Sequence, residues 1–155
     1  IPLAPDTSDE TYIWALKAIV PPLVNKFQPD VLVTQLGIDT HFDDPLTHLK
    51  LTTFGYKKIV EELKSLSPGR WIAFGGGGYD ISAVARSWTV AFATMSGIEL
   101  DPTLPGLFTE RYGLHNLYDN PQTTNLNPKP DLDPMHFAEK SVHAIQKEIF
   151  PMHKI

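Results

Sequence analysis

A chain of 155 residues fits one domain, and its 42% hydrophobic and 20% charged content is that of an ordinary globular protein rather than a disordered or fibrous one. The formal net charge of −5 comes with acidic and basic residues mixed along the chain, so no basic stripe exists to neutralise phosphates and direct nucleic-acid binding is excluded as an expectation. With no cysteine there is neither a disulfide framework nor a thiolate metal site, which fits a cytoplasmic setting; no apolar run is long enough to span a membrane, and no signal peptide is visible.

The chain opens Ile1-Pro2-Leu3-Ala4-Pro5, without an initiator Met, which reads either as a trimmed start or as the loss of an upstream segment. Thr7 and Glu10 have capping-box spacing and predict a helix start. Tyr12, Leu16, Ile19, Leu23 and Phe27 then form one apolar helical face, which Pro21-Pro22 should kink or interrupt and Pro29-Asp30 closes. Val31 to Leu36 is a short, almost wholly apolar run that suits a parallel strand covered on both faces. Residues 37–50 read as a polar loop.

A second helix is expected over Thr53–Leu66 with Ile59, Val60, Leu63 and Leu66 inward, then a Ser67-Pro68-Gly69 turn and a buried strand Trp71-Ile72-Ala73-Phe74. After four glycines and Tyr79, Asp80 caps a third helix that runs to Met95, its inward face being Ile81, Val84, Ala85, Trp88, Phe92 and Met95, and Gly97 stops it in the left-handed conformation. This alternation is the grammar of an α/β domain with a parallel sheet. Two strands cannot cover themselves, so further strands are expected outside these residues. Prolines break up residues 99–135, where Asn120 to Pro130 reads as a surface excursion, and a last amphipathic helix covers Phe137–Phe150 with Val142, Ile145 and Ile149 inward.

Ligand crevices of open α/β sheets lie beyond the carboxyl ends of the strands. Two segments sit there, Gly37–His41 and Gly75–Tyr79, and neighbouring parallel strands would bring them together. A carboxylate at Asp39 suits a divalent cation, although on position alone capping a turn has the better claim. Asp43 and Asp44 are more simply solvated or turn-capping. No His-x-x-x-His pair or Glu-bearing zinc motif is present, so a complete zinc site is not legible. The glycine run could cradle an anion or merely allow close strand–helix packing, but it lacks the Gly-x-Gly-x-x-Gly spacing and places Asp80 where phosphate would sit. Tyr79 could offer its hydroxyl to a developing oxyanion or pack against the sheet end.

Gln35-Leu36-Gly37-Ile38-Asp39-Thr40-His41-Phe42-Asp43-Asp44-Pro45-Leu46 resembles the metal-ligand loop of histone deacetylases and bacterial acetoin-utilization proteins. Gly75–Tyr79 with Ala85-Arg86-Ser87-Trp88-Thr89 resembles their catalytic-tyrosine segment and the following helix, about forty residues on, and the likeness covers Ile1 to about Gly97. The resemblance implies that residues 1–155 are the C-terminal portion of one arginase/deacetylase-like domain, a parallel sheet with helices on both faces, and that the parent is a zinc-dependent amidohydrolase. It implies Asp39 as one of three zinc ligands, Tyr79 as the residue that polarises the acetyl carbonyl, and Leu46 and Gly77 as lining of the channel for an acetylated lysine or another small acetyl-amide. Arg86 and Trp88 would hold their helix against the sheet, and His41 would alter the channel rim.

The family's other two zinc ligands and its paired histidines come from an Asp-x-Asp-x-His-His-Gly type segment, which these residues do not hold. The chain alone is therefore expected to be inert, and to be oligomeric, marginally stable or bound to its N-terminal half. Open alternatives are a non-catalytic module binding an anionic ligand through the glycine loop, a scaffold, and an acetylpolyamine amidohydrolase.

Overall fold

The computed structural model describes residues 1–120 and 133–155. Its elements in chain order are α1 (Asp9–Phe27), β1 (Leu32–Gln35), α2 (Thr53–Leu66), β2 (Trp71–Phe74), α3 (Ile81–Ser96), α4 (Gly106–Tyr112) and α5 (Pro134–Glu148), closed by a 3₁₀ turn at Phe150–His153. The strands pair in parallel with Leu32 opposite Trp71 and Gln35 opposite Phe74, so β1-α2-β2 is one crossover unit. The Asn120–Pro130 excursion lies, beyond its first residue, outside the described residues.

The two strands and α2 fall where the apolar runs put them, to within a residue or two. Thr52 caps α2, its hydroxyl accepting the Gly55 N–H at 3.0 Å. Asp80 caps α3 by accepting the Ala83 N–H at 2.7 Å, and Gly97 ends that helix at φ 72°. Leu36, Ile38, Tyr56, Val60 and Ala91 form the central core, with Trp71, Ala73 and Val84 packed against it. Helices α2 and α3 thus cover the sheet face of Trp71 and Ala73. Ala15 and Ile19 of α1 meet Ala138 and Val142 of α5 in a second cluster.

Five expectations are corrected. Helix α1 has no capping box: Ser8 is its N-cap without a side-chain bond, because the Thr7 hydroxyl donates to the Ala4 carbonyl at 2.7 Å. The helix also runs through Pro21 and Pro22, since tertiary packing of Leu16, Ile19 and Leu23 outweighs the hydrogen bonds the prolines remove. Phe27, expected inward, is exposed beyond the end of that packing. Strand β1 is not covered on both faces: Val33, Ile72 and Phe74 point to the same side of the sheet at 59%, 50% and 58% exposure.

The face of α3 is the fifth. Its buried residues are Ala83, Arg86, Ser87, Val90, Ala91 and Ala93, with Val84 and Met95 at the margin, while Ile81, Ala85 and Phe92 face outward and the Trp88 ring is exposed along part of its surface. Apolar residues line both sides of this helix, so periodicity does not choose between them, and a buried arginine needs a partner that the helix does not carry. That partner is Asp119, from the region expected to be irregular. Residues 99–120 in fact hold α4, an antiparallel bridge between Thr103 and Asn116, and the buried Leu117.

Candidate functional site

The pairing of β1 with β2 carries the two C-terminal loops side by side. Past the strands the pairing continues: the Leu36 N–H donates to the Phe74 carbonyl, and the Ile38 N–H to the Gly77 carbonyl, both at 2.7 Å. Asp39 follows directly. Its carboxylate lies so close over Gly77 that a methyl group there would overlap Oδ2 and displace it. The expected convergence of Asp39 with the glycine loop is thus realised. Tyr79, at the end of that loop, is 56% exposed, and Leu46 is exposed on the far limb of the Asp39 loop.

The Asp39 loop is a bonded structure rather than a loose polar excursion. Asp44 is buried and accepts the N–H groups of Leu46 and Thr47 on Oδ1 at 2.9 and 3.2 Å, and that of Tyr79 on Oδ2 at 2.9 Å. The Thr47 hydroxyl donates to the Asp39 carbonyl. His41 is wholly buried and so is no part of a channel rim, correcting that expectation. Its Nε2 lies 2.9 Å from Asp119 Oδ2 and its Nδ1 accepts the Asp43 N–H at 3.2 Å. An ionised Asp119 accepts only, so this arrangement requires the tautomer with the proton on Nε2.

Asp119 is the residue that sequence reasoning missed altogether. Beyond His41, its Oδ2 accepts the Thr53 N–H and hydroxyl, each at 2.8 Å, and Oδ1 accepts Arg86 Nη1 at 2.6 Å. Burial raises its carboxyl, but the bonds from His41, Thr53 and Arg86 outweigh that and hold it well below the ordinary aspartate range. Arg86 therefore anchors α3 to residues 117–119 rather than to the sheet, a second correction. Trp88 does fasten α3 to the sheet end, its indole N–H donating to the Leu36 carbonyl at 3.0 Å. No periodicity or motif marks Asp119; Asp44 at least stands inside the quoted motif.

The glycine run offers an anion little. The Tyr79 N–H is taken by Asp44 and the Ala83 N–H by Asp80, whose carboxyl, raised by burial, is lowered on balance by its bonds to Ser82 and Ala83. An incoming phosphate would meet two carboxylates.

Among the described residues no three His, Cys, Asp or Glu side chains gather to hold a metal. Both ring nitrogens of His41, the histidine nearest to Asp39 in sequence, are engaged elsewhere. These residues do not by themselves fit a zinc ion.

The histone deacetylase domain matches residues 1–95 of the chain. The chain belongs to the histone deacetylase family. It is 39% identical over 117 residues to the acetoin utilization protein AcuC of Staphylococcus xylosus, covering 72% of this chain and 30% of that protein. With the AcuC protein of Bacillus subtilis (strain 168) the identity is 38% over 110 residues, covering 68% and 28% respectively. The crystal structure of the HDA15 HD domain superposes with a TM-score of 0.58 at 28% identity, over 61% of this chain and 27% of that one. The α/β deacetylase fold class expected from the motifs is therefore the fold of this chain, and the chain spans less than a third of the length of these relatives. No helix among the described residues is long and apolar enough to cross a membrane.

Proposed function

We propose that this chain is the Asp39–Tyr79 wall of a zinc-dependent deacetylase that hydrolyses the amide of an acetylated lysine. The observation that carries the reading is the juncture of the two loops, in which the Ile38 N–H bonds the Gly77 carbonyl and the Asp39 carboxylate lies against Gly77. In that reading Asp39 would be one anionic ligand of a zinc ion whose other ligands come from outside these residues, and the chemistry such an ion would supply is Lewis-acid polarisation of the acetyl carbonyl. The Tyr79 hydroxyl donates a hydrogen bond to the acetyl oxygen as negative charge develops on it. Half-exposed at the loop end, it is reachable by a substrate. Leu46 and Gly77 border the path of the lysine stem.

The proposal includes the inertness of the 155 residues alone, since they lack the histidine pair and two of three ligands. It also sets the protein in the cytoplasm, where a chain without cysteine has no disulfide to lose. Its substrate is a protein acetyl-lysine or another small acetyl-amide, acetylated polyamines included. The anion-binding alternative has against it the two carboxylates at the glycine loop.

Acetate release from an acetyl-lysine peptide and from an acetylpolyamine, by the full-length protein and by the isolated chain with added zinc, tests the reading. Activity is expected only from the full-length protein, and Tyr79→Phe should lower its kcat by about 10²–10³-fold. A full-length protein inert toward both substrates would overturn the deacetylase reading; turnover by the isolated chain would overturn its inertness.

A further inference from the structure

We infer that Asp119, which lies beyond the residues matched by the deacetylase domain, is a positioning residue that holds the Asp39 and Tyr79 loops in one fixed arrangement. The inference rests on the functional reading above for its catalytic consequence but not for its geometry.

The path is continuous. Asp119 Oδ2 receives the His41 imidazole, which in turn takes the Asp43 N–H on its other nitrogen. His41 also shapes the loop through its backbone, its N–H donating to the Ile38 carbonyl and its carbonyl accepting from Asp44, both at 3.0 Å. Asp44 then holds the Tyr79 N–H, and Thr47 holds the Asp39 carbonyl. On its other oxygen Asp119 grips Arg86 of α3, the helix that begins two residues after Tyr79. Through Thr53 it also fixes the first residue of α2, the helix joining the two strands. One carboxylate thus bonds the segment before α2, the start of α2 and the helix after the glycine loop, all in a buried setting.

Burial makes this arrangement stiff rather than incidental. The side chains of His41, Arg86 and Asp119 are 0%, 2% and 8% exposed, so none can exchange its partner for water without cost. A loop set this way presents Asp39 and Tyr79 without further reorganisation, and misplacement by about 1 Å at a reacting centre is worth about 10²-fold in rate.

The test uses full-length protein carrying Asp119→Asn, His41→Leu, or Val142→Ala as a control that loosens the distant α1–α5 cluster. Two readouts are taken at a temperature where all are folded: hydrogen exchange of the Tyr79 and Asp43 amides, and kcat and KM on an acetyl-lysine peptide. Asp119→Asn should speed exchange of both amides about tenfold or more. It should lower kcat by about 10²-fold with KM little changed. His41→Leu, which leaves the Arg86 and Thr53 bonds in place, should do the same to a lesser degree and serves if Asp119→Asn fails to fold. The control should lower the melting temperature and leave both readouts alone. Unchanged exchange, unchanged kcat, or an equal response in the control overturns the inference. If the unaltered protein hydrolyses nothing, the functional reading fails, and the exchange data alone still decide the geometric one.

Discussion

Asp44 and Tyr79 are joined by a single hydrogen bond across the two loops, the Tyr79 N–H donating to Asp44 Oδ2 at 2.9 Å. The same carboxylate closes its own loop onto Leu46 and Thr47, so Tyr79 and the Asp39 loop share one acceptor. Asp44→Ala leaves three N–H groups without that acceptor in a partly buried setting, and a cost of about 1–3 kcal/mol is expected. Urea unfolding of the full-length protein measures it; a change below about 0.5 kcal/mol would show that these amides find water instead.

Gly77→Ala should separate stability from function. The added methyl meets the end of a flexible side chain, Asp39 Oδ2, which can swing away at little expense. A stability change under about 1 kcal/mol is therefore expected. On the zinc-deacetylase reading proposed above, zinc affinity and turnover of the full-length protein should fall together because Asp39 has been displaced. Equilibrium zinc titration beside a melting curve checks both halves.

The acid limb of stability carries a signature of Asp119. Its carboxyl is held below the ordinary aspartate value of 3.8, so it contributes stability above that pH and loses it as pH falls further, through the folded-state value. Asp9 acts in the opposite sense: burial raises it despite its bonds to Thr52, so stability declines as pH rises from 3.8 through its folded-state value. The stability difference between the unaltered protein and Asp119→Asn should therefore be constant near neutrality and shrink below pH 3.8. Urea midpoints on a pH series test this; a difference that grows in acid would contradict it.

The isolated 155 residues should self-associate through the bare sheet face of Val33, Ile72 and Phe74. Sedimentation is expected to show mass rising with concentration, and Phe74→Lys to reverse it. A monomer at every concentration would count against this.

What the sequence made legible was the backbone: β1, α2 and β2 read as apolar runs with ordinary punctuation, and parallel pairing then required Gly37–His41 to meet Gly75–Tyr79. Interactions closed over long separations were hidden. Nothing in Ile81–Ser96 says that Arg86 turns inward, because its partner stands 33 residues later in a stretch without periodicity. Pro21 and Pro22 misled for a related reason: local propensity argued for a kink or break in a helix whose packing partner, α5, lies more than a hundred residues away. His41 looked like a rim residue while Asp119 was out of view.

The contact between His41 and Asp119 spans 78 residues of chain. During synthesis at about 5–20 residues per second, roughly ten seconds separate the emergence of one from the other. Over that interval the β1-α2-β2 crossover can close, yet His41 and Arg86 have no anionic partner to enter the core with. A nascent chain stalled short of residue 119 would thus carry both strands and both loops without the group that locks them, leaving it a natural client for chaperones.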